Sequence, residues 1–271
     1  MKTALIQMPV TDSKAQNIQT ALDYIARAAQ EGADIAVLPE MFCSIYRNRD
    51  FINNAEPHGG AAWQAISAAA REHKLWIVAG SVPEQDGDRI YNTAYVFNAD
   101  GEEVARHRKV HMFDIKVKNG QWFRESATFT PGDEITVFDT PFGKLGLCIC
   151  FDLRFPELAM LMALKGARAI IVPASFNMTT GPAHWELLFR QRAVDNQLHT
   201  IGVAPARDEN GPYVSYSNSI VCSPWGTVLH RAGSEPVLLM ADIDLDYNET
   251  IRDQLPLLSA RKTNVYDVME K

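Results

Sequence analysis

The sequence contains only four cysteines, no long apolar run and no recognisable secretion signal. Four cysteines in 271 residues are too few for a disulfide framework, and they favour a reducing compartment in which a thiol stays reactive. The first residues lack the apolar core and the small-residue cleavage site of a signal peptide. No segment approaches the roughly 20 consecutive apolar residues of a membrane-spanning helix. We therefore expect a cytoplasmic protein without a membrane partner.

The chain also lacks a block of positive charge. Its 26 lysines and arginines are outnumbered by 33 acidic residues, so the formal net charge is −7. This balance disfavours nucleic acids and anionic lipids as partners, whereas a few local arginines still permit a small anionic substrate. Phosphate-binding loops, dinucleotide fingerprints and the Gly-x-Ser-x-Gly motif are absent as well. We expect no cofactor and no metal ion.

Strand-like and helix-like segments alternate along the whole chain, which predicts an α/β fold. Strands are predicted at Thr3–Met8, Asp34–Leu38, Leu75–Gly80, Thr93–Asn98, Lys144–Cys150, Arg168–Pro173, Thr200–Ala204 and Ser217–Cys222. Helices are predicted at Ile18–Ala29, with Asp12 or Ser13 as the N-cap, and at Ala61–His73, Pro156–Leu164 and Pro182–Gln197. Asp100-Gly101 predicts a hairpin turn. Since no linker interrupts this pattern, we expect a single domain over residues 1–271.

Two segments of the sequence echo one another. The stretch Glu31–Asp34 leads into a β-branched strand that ends at Pro39 and Glu40, and Lys165–Arg168 leads into a similar strand that ends at Pro173. Proline cannot continue a central ladder, so both strands are expected to stop at equivalent points. The echo indicates two related layers with a site between their strand ends.

Cys150 is the strongest candidate for a catalytic residue. It lies at the end of an apolar run, and an acid, an arginine and the start of a helix follow at once. A helix N-terminus offers free N–H groups and positive partial charge, which favour a thiolate. A cysteine within an apolar strand is more often a small core residue, and we assign that role to Cys148 and Cys222.

Glu40 and Lys109 supply the ionisable groups that a nucleophilic thiol requires. Each has an ordinary alternative, because acids often follow strand ends and Lys109 belongs to a basic stretch with Arg106 and Arg108 that would suit a solvated surface. Their joint occurrence with Cys150 at element boundaries of an α/β protein favours a functional site.

These motifs, in this order, resemble those of the nitrilase-like carbon–nitrogen hydrolase superfamily. The matching segments are Leu38–Glu40, Lys109–Asp114, Phe123–Ser126, Pro131–Asp133 and Cys150–Glu157. The resemblance implies an αββα sandwich that commonly pairs into an αββα–αββα dimer, and a second glutamate, Glu125, beside Lys109. The apolar side chains of residues 247–271 suit docking on another subunit, so we expect a homodimer.

Within the superfamily the chain is most similar to omega-amidases, in the segments Arg106–Lys109, Phe176–Leu188, Arg192–Gln197 and Pro205–Asp208. This resemblance implies hydrolysis of the terminal amide of a small ω-amido acid, such as 2-oxoglutaramate or 2-oxosuccinamate. Cys150 would attack the amide carbon while Glu40 accepts the thiol proton. Lys109 and a main-chain N–H near Phe151 would hold the oxyanion. Glu125 would position Lys109 and the substrate amide.

The distal carboxylate of such a substrate needs a cationic partner. The candidate substrate-binding residues are Phe151, Arg154, Thr179, Thr180 and Tyr46. A guanidinium fork matches a carboxylate bidentately, which favours Arg154. The alternative is that Arg154 pairs structurally with Asp152 or Glu157.

Other interpretations of the sequence stay open. Within the superfamily, the substrate would instead be an N-carbamoyl amino acid or deaminated glutathione. Cys148 and Cys150 form a Cys-x-Cys pair that suits redox chemistry or metal binding, although no second cysteine pair accompanies it. His107 and His111 would bind a metal together only on a helix, and their flanks indicate a loop or strand with solvated side chains. A non-catalytic interaction protein is disfavoured because all four polar site positions are present.

Overall fold

The computed structural model describes residues 1–118 and 120–271. The strands of these residues are β1 (Lys2–Gln7), β2 (Ile35–Val37), β3 (Glu56–Pro57), β4 (Trp76–Asp86), β5 (Arg89–Phe97), β6 (Glu103–Arg108), β7 (Asp114–Lys116), β8 (Trp122–Arg124), β9 (Thr136–Thr140), β10 (Gly143–Leu147), β11 (Ala169–Pro173), β12 (His199–Val203), β13 (Ile220–Cys222), β14 (Val228–Arg231) and β15 (Val237–Asp242). The helices are α1 (Lys14–Gln30), α2 (Asn48–Asn54), α3 (Ala61–His73), α4 (Pro156–Leu164), α5 (Gly181–Asn196) and α6 (Tyr247–Gln254). Two short 3-10 helices cover Glu125–Ala127 and Cys150–Arg154. Over the described ranges, no helix is both long and apolar enough to cross a membrane.

The two larger sheets have related topologies. The first has the spatial order β15-β1-β2-β4-β5-β6, with β3 beside β4, and the second has the order β14-β13-β12-β11-β10-β9. In each sheet, parallel strands occupy the middle and antiparallel strands flank them. The echo in the sequence therefore corresponds to β2 and β11, which occupy central positions in the two sheets.

Successive side chains along a strand point to opposite faces of the sheet, so each strand of the first sheet contributes to two different apolar cores. Leu5 and Val37 pack in one cluster with residues of the second sheet such as Ile171. Ile6 faces the other way and packs with Ile25 of α1 and with α3. Helices α4 and α5 pack together, and α5 lies on β12 of the second sheet. The layers are therefore helices, sheet, sheet and helices, which confirms the predicted αββα sandwich.

The predicted helices agree closely with the structure, because their apolar periodicity and caps are local signals. Helices α3 and α4 have the predicted bounds, and the Ser13 hydroxyl caps α1 by accepting from the main-chain N–H of Gln16 at 3.3 Å. The Asp100-Gly101 turn joins β5 to β6, and Gly101 has the positive φ of 76° that such a turn uses.

Four predicted strands were wrong at one end. Strand β4 continues past the predicted end at Gly80 to Asp86, and β5 starts at Arg89 rather than at Thr93. The strand predicted at Lys144–Cys150 stops at Leu147, and Cys150 itself has a φ of 49°. The strand predicted from Ser217 starts at Ile220, because Ser217 and Asn218 have φ values of 62° and 63°. These left-handed conformations interrupt a ladder, and composition does not reveal them.

Candidate active site

Glu40, Lys109 and Glu125 form a buried charged cluster where β2 and β6 end. The Lys109 Nζ atom lies 3.0 Å from Glu40 Oε1 and 2.9 Å from Glu125 Oε2, and none of the three side chains is exposed to solvent. Three charges removed from water require close mutual compensation. One ammonium between two carboxylates provides it, so the predicted acid, lysine and second glutamate lie together.

Asn92 of β5 bridges the two carboxylates of this cluster. Its fully buried amide Nδ2 donates to Glu40 Oε1 at 2.9 Å and to Glu125 Oε1 at 3.1 Å. The Asn92 main-chain oxygen also accepts from the N–H of Lys109 at 2.8 Å. Sequence analysis did not identify this residue, which lies one position before the strand predicted at Thr93–Asn98.

Ser175 connects the second sheet to the cluster. It follows β11 as Glu40 follows β2, and its main-chain N–H donates to Glu40 Oε2 at 2.8 Å. Its carbonyl oxygen accepts from the Tyr213 hydroxyl at 2.5 Å. Neither Ser175 nor Tyr213 was predicted. The echo of the two proline-ended strands indicated the region of Ser175, and the two strand ends do meet.

Cys150 begins a 3-10 helix three residues after the end of β10, and its φ of 49° is unusual for a residue with a side chain. The N–H of Cys148 donates to the Ile171 carbonyl of β11 at 3.1 Å, so the turn that follows is anchored to the second sheet. Cys150 is only 3% exposed. The sharp turn separates it from the face of the strand that a regular Cys-x-Cys pair would share.

The electrostatic surroundings of the Cys150 thiol keep it protonated. Burial raises its pKa well above the ordinary value, and the Glu40 carboxylate adds to this effect. The Lys109 ammonium and the main-chain N–H of Ser175 act in the opposite direction but do not reverse it. The expected stabilisation of a thiolate by a helix N-terminus is therefore outweighed, and the thiol needs an adjacent base before it can react.

Lys109 remains an ammonium ion in this cluster. Burial alone would lower its pKa, but the carboxylates of Glu125 and Glu40 raise the pKa well above its ordinary value. Burial raises the pKa of Glu125, against the opposing effect of Lys109. A lysine that keeps its proton cannot act as a base, so its chemical use is to stabilise negative charge.

Tyr46 and Tyr213 line the approach to the cluster. Their ring centroids lie 4.4 Å apart, and the Tyr46 hydroxyl is 3.5 Å from Glu40 Oε1. A cavity of about 50 Å³ reaches Glu40 beside both tyrosines, and a wider cleft of about 440 Å³ shares the same two residues. The rest of the wider cleft is lined by Arg47, Gln121, Trp122, Phe123, Asn177, Met178, Thr179, Pro212 and Val214.

Arg154 follows Cys150 by one turn and is half-buried. Its guanidinium carbon lies 4.9 Å from the ring centroid of Phe176 and 5.5 Å from that of Phe151, and its Nη1 donates to His184 Nδ1 at 3.2 Å. Within the described residues it makes no ion pair, so the expected alternative pairing with Asp152 or Glu157 is not formed. Burial lowers the pKa of Arg154.

The other predicted substrate residues have different surroundings. The main-chain N–H groups of Thr179 and Thr180 donate to Asn177 Oδ1 at 2.9 and 2.8 Å. The Thr180 hydroxyl also donates to this atom, at 3.2 Å, whereas Thr179 lines the wider cleft. The Phe151 N–H lies in the first turn of its 3-10 helix, where main-chain donors lack an intrahelical acceptor.

The two histidines near Lys109 are not both solvated, contrary to expectation. His107 is fully buried and its Nε2 lies 3.1 Å from Asp152 Oδ2, while the 28% exposed side chain of His111 places Nδ1 2.8 Å from Asp152 Oδ1. They bind this carboxylate because strand β6 and the loop after it run past the Cys150 turn. Among the described residues, no group of three histidine, cysteine or acidic side chains is arranged to hold a metal ion.

Comparisons with known proteins agree on one family. Residues 2–253 match the family model described as carbon-nitrogen hydrolase. The omega-amidase NIT2 of Xenopus tropicalis is 45% identical over 270 residues, which cover 100% of this chain and 98% of that protein. Saccharomyces cerevisiae Nit3, described as a member of branch 10 of the nitrilase superfamily, superposes with a TM-score of 0.89 at 40% identity, over 97% of this chain and 96% of that chain.

A third relative carries direct information about chemistry. It is a glutamate-to-glutamine mutant of the amidase from Nesterenkonia sp. AN1, described as showing covalent addition of the acetamide moiety of fluoroacetamide at the active-site cysteine. It superposes with a TM-score of 0.82 at 26% identity, over 98% of this chain and 95% of that chain.

Proposed function

The chain belongs to the carbon–nitrogen hydrolase family and is an amidohydrolase, and from this premise we propose that it is a cysteine-dependent omega-amidase. The proposed reaction converts a dicarboxylic acid monoamide such as 2-oxoglutaramate or 2-oxosuccinamate, with water, into the diacid and ammonia. The observation that supports the proposal is the buried cluster of Glu40, Lys109 and Glu125, whose charges act on the pKa of the Cys150 thiol.

In the first half of the reaction, Glu40 accepts the proton of the Cys150 thiol as the sulfur forms a bond to the amide carbon. The electron pair of the carbonyl moves onto oxygen. The Lys109 ammonium and the N–H of Phe151 stabilise this oxyanion, in a site that excludes water and so strengthens the interaction. The raised thiol pKa makes the adjacent carboxylate necessary.

In the second half, Glu40 returns its proton to the amide nitrogen, the carbon–nitrogen bond breaks and ammonia leaves. Water then attacks the thioester while Glu40 accepts one of its protons. The carbon–sulfur bond breaks, Cys150 recovers a proton and the new carboxylate departs. Glu125 holds Lys109 in place, with its Oε2 atom 2.9 Å from Lys109 Nζ. Asn92 donates to Glu40 at 2.9 Å and to Glu125 at 3.1 Å, and so holds the two carboxylates relative to each other.

Arg154 supports the choice of a substrate with a distal carboxylate. It is a half-buried guanidinium near Cys150 without an acidic partner among the described residues, and a buried cation without a counter-ion is costly unless a ligand supplies one. A carboxylate matches its fork geometry. The wider cleft of about 440 Å³ is lined by Tyr46 and Thr179, two of the proposed substrate-binding residues, but not by Cys150 or Arg154.

The test is ammonia release from ω-amido acids of increasing length, each beside its analogue without the carboxylate. A charge-assisted contact contributes roughly 1.5–3 kcal/mol, so the acids should have a kcat/KM about 10- to 10²-fold higher. Arg154→Met should remove this preference, whereas Arg190→Met, on α5, serves as the matched control. Equal kcat/KM values with and without the carboxylate would contradict the proposal that Arg154 binds the distal carboxylate. A higher kcat/KM for N-carbamoyl amino acids or deaminated glutathione would favour the alternative amidase functions.

We further propose that the chain forms a homodimer through its C-terminal segment. Large apolar side chains of this segment are exposed in the single chain, namely Leu255, Leu257, Val265, Tyr266 and Met269. Burial of such a set against a second copy is favourable because apolar surface leaves water. Sedimentation velocity should show a dimer that Val265→Asp weakens, and a monomeric wild-type chain would contradict this proposal.

A further inference from the structure

Asp152 is a buried carboxylate to which the mechanism above assigns no role. Its Oδ1 atom accepts from the main-chain N–H of His111 and from His111 Nδ1, both at 2.8 Å. Its Oδ2 atom accepts from the main-chain N–H of Ile149 and from His107 Nε2, both at 3.1 Å. Each oxygen therefore receives one main-chain donor and one imidazole donor.

The four donors lie in the two segments that carry the reacting groups. His107 and His111 flank Lys109 by two residues on either side, and Ile149 directly precedes Cys150. Asp152 is thus a single side chain that joins the segment of the oxyanion-binding ammonium to the turn of the nucleophile. In the sequence, Asp152 is 41 residues from His111 and 45 residues from His107, so only the fold brings these side chains into contact.

Asp152 also closes the turn around the left-handed residue. Its main-chain N–H donates to the Ile149 carbonyl at 3.0 Å, while its side chain accepts from the Ile149 N–H. Cys150, with its φ of 49°, lies between these two contacts. A non-glycine residue keeps such a conformation only when its surroundings hold it there.

Asp152 is ionised in this network. Burial would raise its pKa, but the hydrogen bonds from His107 and His111 lower it below the ordinary value. A carboxylate has only acceptors, so both imidazoles must present an N–H to it. His111 is oriented further by stacking on Phe155, with the ring centroids 3.5 Å apart and an interplanar angle of 10°.

We propose that Asp152 is a positioning residue that sets the Lys109 ammonium relative to the Cys150 thiol. This inference rests on the proposed function of those two groups. Because Asp152 acts on the geometry of bond formation and Arg154 binds the distal carboxylate, loss of Asp152 should lower kcat and leave KM nearly unchanged. A misplacement of about 1 Å costs about 10²-fold in rate when reacting groups must be aligned.

Asp152→Asn is the sharpest perturbation, because it keeps the size of the side chain and changes only its donors and acceptors. In either orientation, the asparagine NH₂ group faces a main-chain N–H, that of Ile149 or that of His111. An imidazole can change its tautomer to accept a hydrogen bond, but a main-chain N–H cannot. One donor therefore always loses its acceptor.

The experiment measures kcat and KM for 2-oxoglutaramate, and separately the rate at which iodoacetamide alkylates Cys150, followed by peptide mass spectrometry. For Asp152→Asn we expect kcat and the alkylation rate to fall by about 10- to 10²-fold, with KM within about threefold of wild type. The control is Asn248→Ala, which removes a different buried hydrogen bond, to the Arg168 carbonyl. It should lower Tm but neither rate.

A second variant keeps the test valid if Asp152→Asn does not fold. His111→Phe retains the stacking on Phe155 and deletes only one imidazole donor at a partly exposed position, and we expect kcat to fall by about 3- to 10-fold. Wild-type kcat and alkylation rates in these variants, alongside an inactive Cys150→Ala, would overturn the inference and leave the proposed function standing. Full activity in Cys150→Ala would instead overturn the function. If Asn248→Ala lost kcat and alkylation rate to the same extent, Asp152 would contribute only to general stability and the inference would be wrong.

Discussion

Glu125→Gln tests whether the second carboxylate of the cluster acts on catalysis or only on folding. Glu125 accepts from Lys109 Nζ at 2.9 Å, from Asn92 Nδ2 at 3.1 Å and from the main-chain N–H of Phe113 at 2.5 Å. Glutamine has the same shape, but its NH₂ group must point at one of these donors. Lys109 would then keep Glu40 as its remaining carboxylate partner in the cluster.

The size of the effect follows from these contacts. A hydrogen bond to a charged group contributes about 1.5–3 kcal/mol, and the opposed NH₂ group leaves a second buried donor without an acceptor. When Lys109 is no longer held in position, we expect the activation free energy to rise by about 3 kcal/mol. This corresponds to a fall of about 10²-fold in kcat, because each 1.36 kcal/mol changes the rate tenfold. KM should change little, since Glu125 contacts Lys109, Asn92 and Phe113 rather than Arg154, the residue proposed to bind the distal carboxylate.

The assay is ammonia release at saturating substrate, with Tm measured on the same preparations. Glu84→Gln is the matched control, because Glu84 is also a buried acid that binds cations, Arg106 and Arg108, outside the cluster. It should lose stability while kcat stays within a few-fold of wild type. The reasoning would be refuted by a Glu125→Gln enzyme with near-normal kcat, or by a control that loses activity to the same extent.

Further predictions concern the nucleophile, its neighbours and acid stability. Cys150→Ala should abolish turnover in a folded protein while Cys148→Ala stays active, and equal inactivity of both would contradict a single nucleophile. Glu40→Gln should lower kcat by at least about 10²-fold through loss of the base, and Lys109→Met should lose comparably through the oxyanion. A kcat within a few-fold of wild type in either variant would remove that residue from the mechanism. Burial lowers the pKa of His199 from 6.5 to about 4, so the unfolded chain binds a proton in this range that the folded chain does not. Stability should therefore fall as the pH falls from about 6.5 to about 4, by up to about 3 kcal/mol, and urea unfolding at pH 7 and pH 4.5 should show a smaller loss in His199→Gln.

The sequence alone predicted the fold class, and it named Glu40, Lys109 and Glu125, which the structure brings together in one buried cluster. The bounds of α3 and α4 follow from apolar periodicity and local caps, which act within a few residues of the chain. The echo around Pro39 and Pro173 correctly indicated two sheets whose central strands end near one another. Glu40 was identified by its joint occurrence with Lys109 and Cys150 at element boundaries, since an acid at a strand end is by itself ordinary.

The tertiary structure alone decided how these groups are paired and what their environment does to them. Ser175 binds Glu40 across 135 residues of sequence, and neither position contains information about the other. The sequence favoured a thiolate at Cys150 because a helix start follows it, but burial beside Glu40 keeps the thiol protonated. Hydrogen-bond partners, burial and backbone strain depend on which distant segments are brought into contact, and packing of the two sheets sets those contacts.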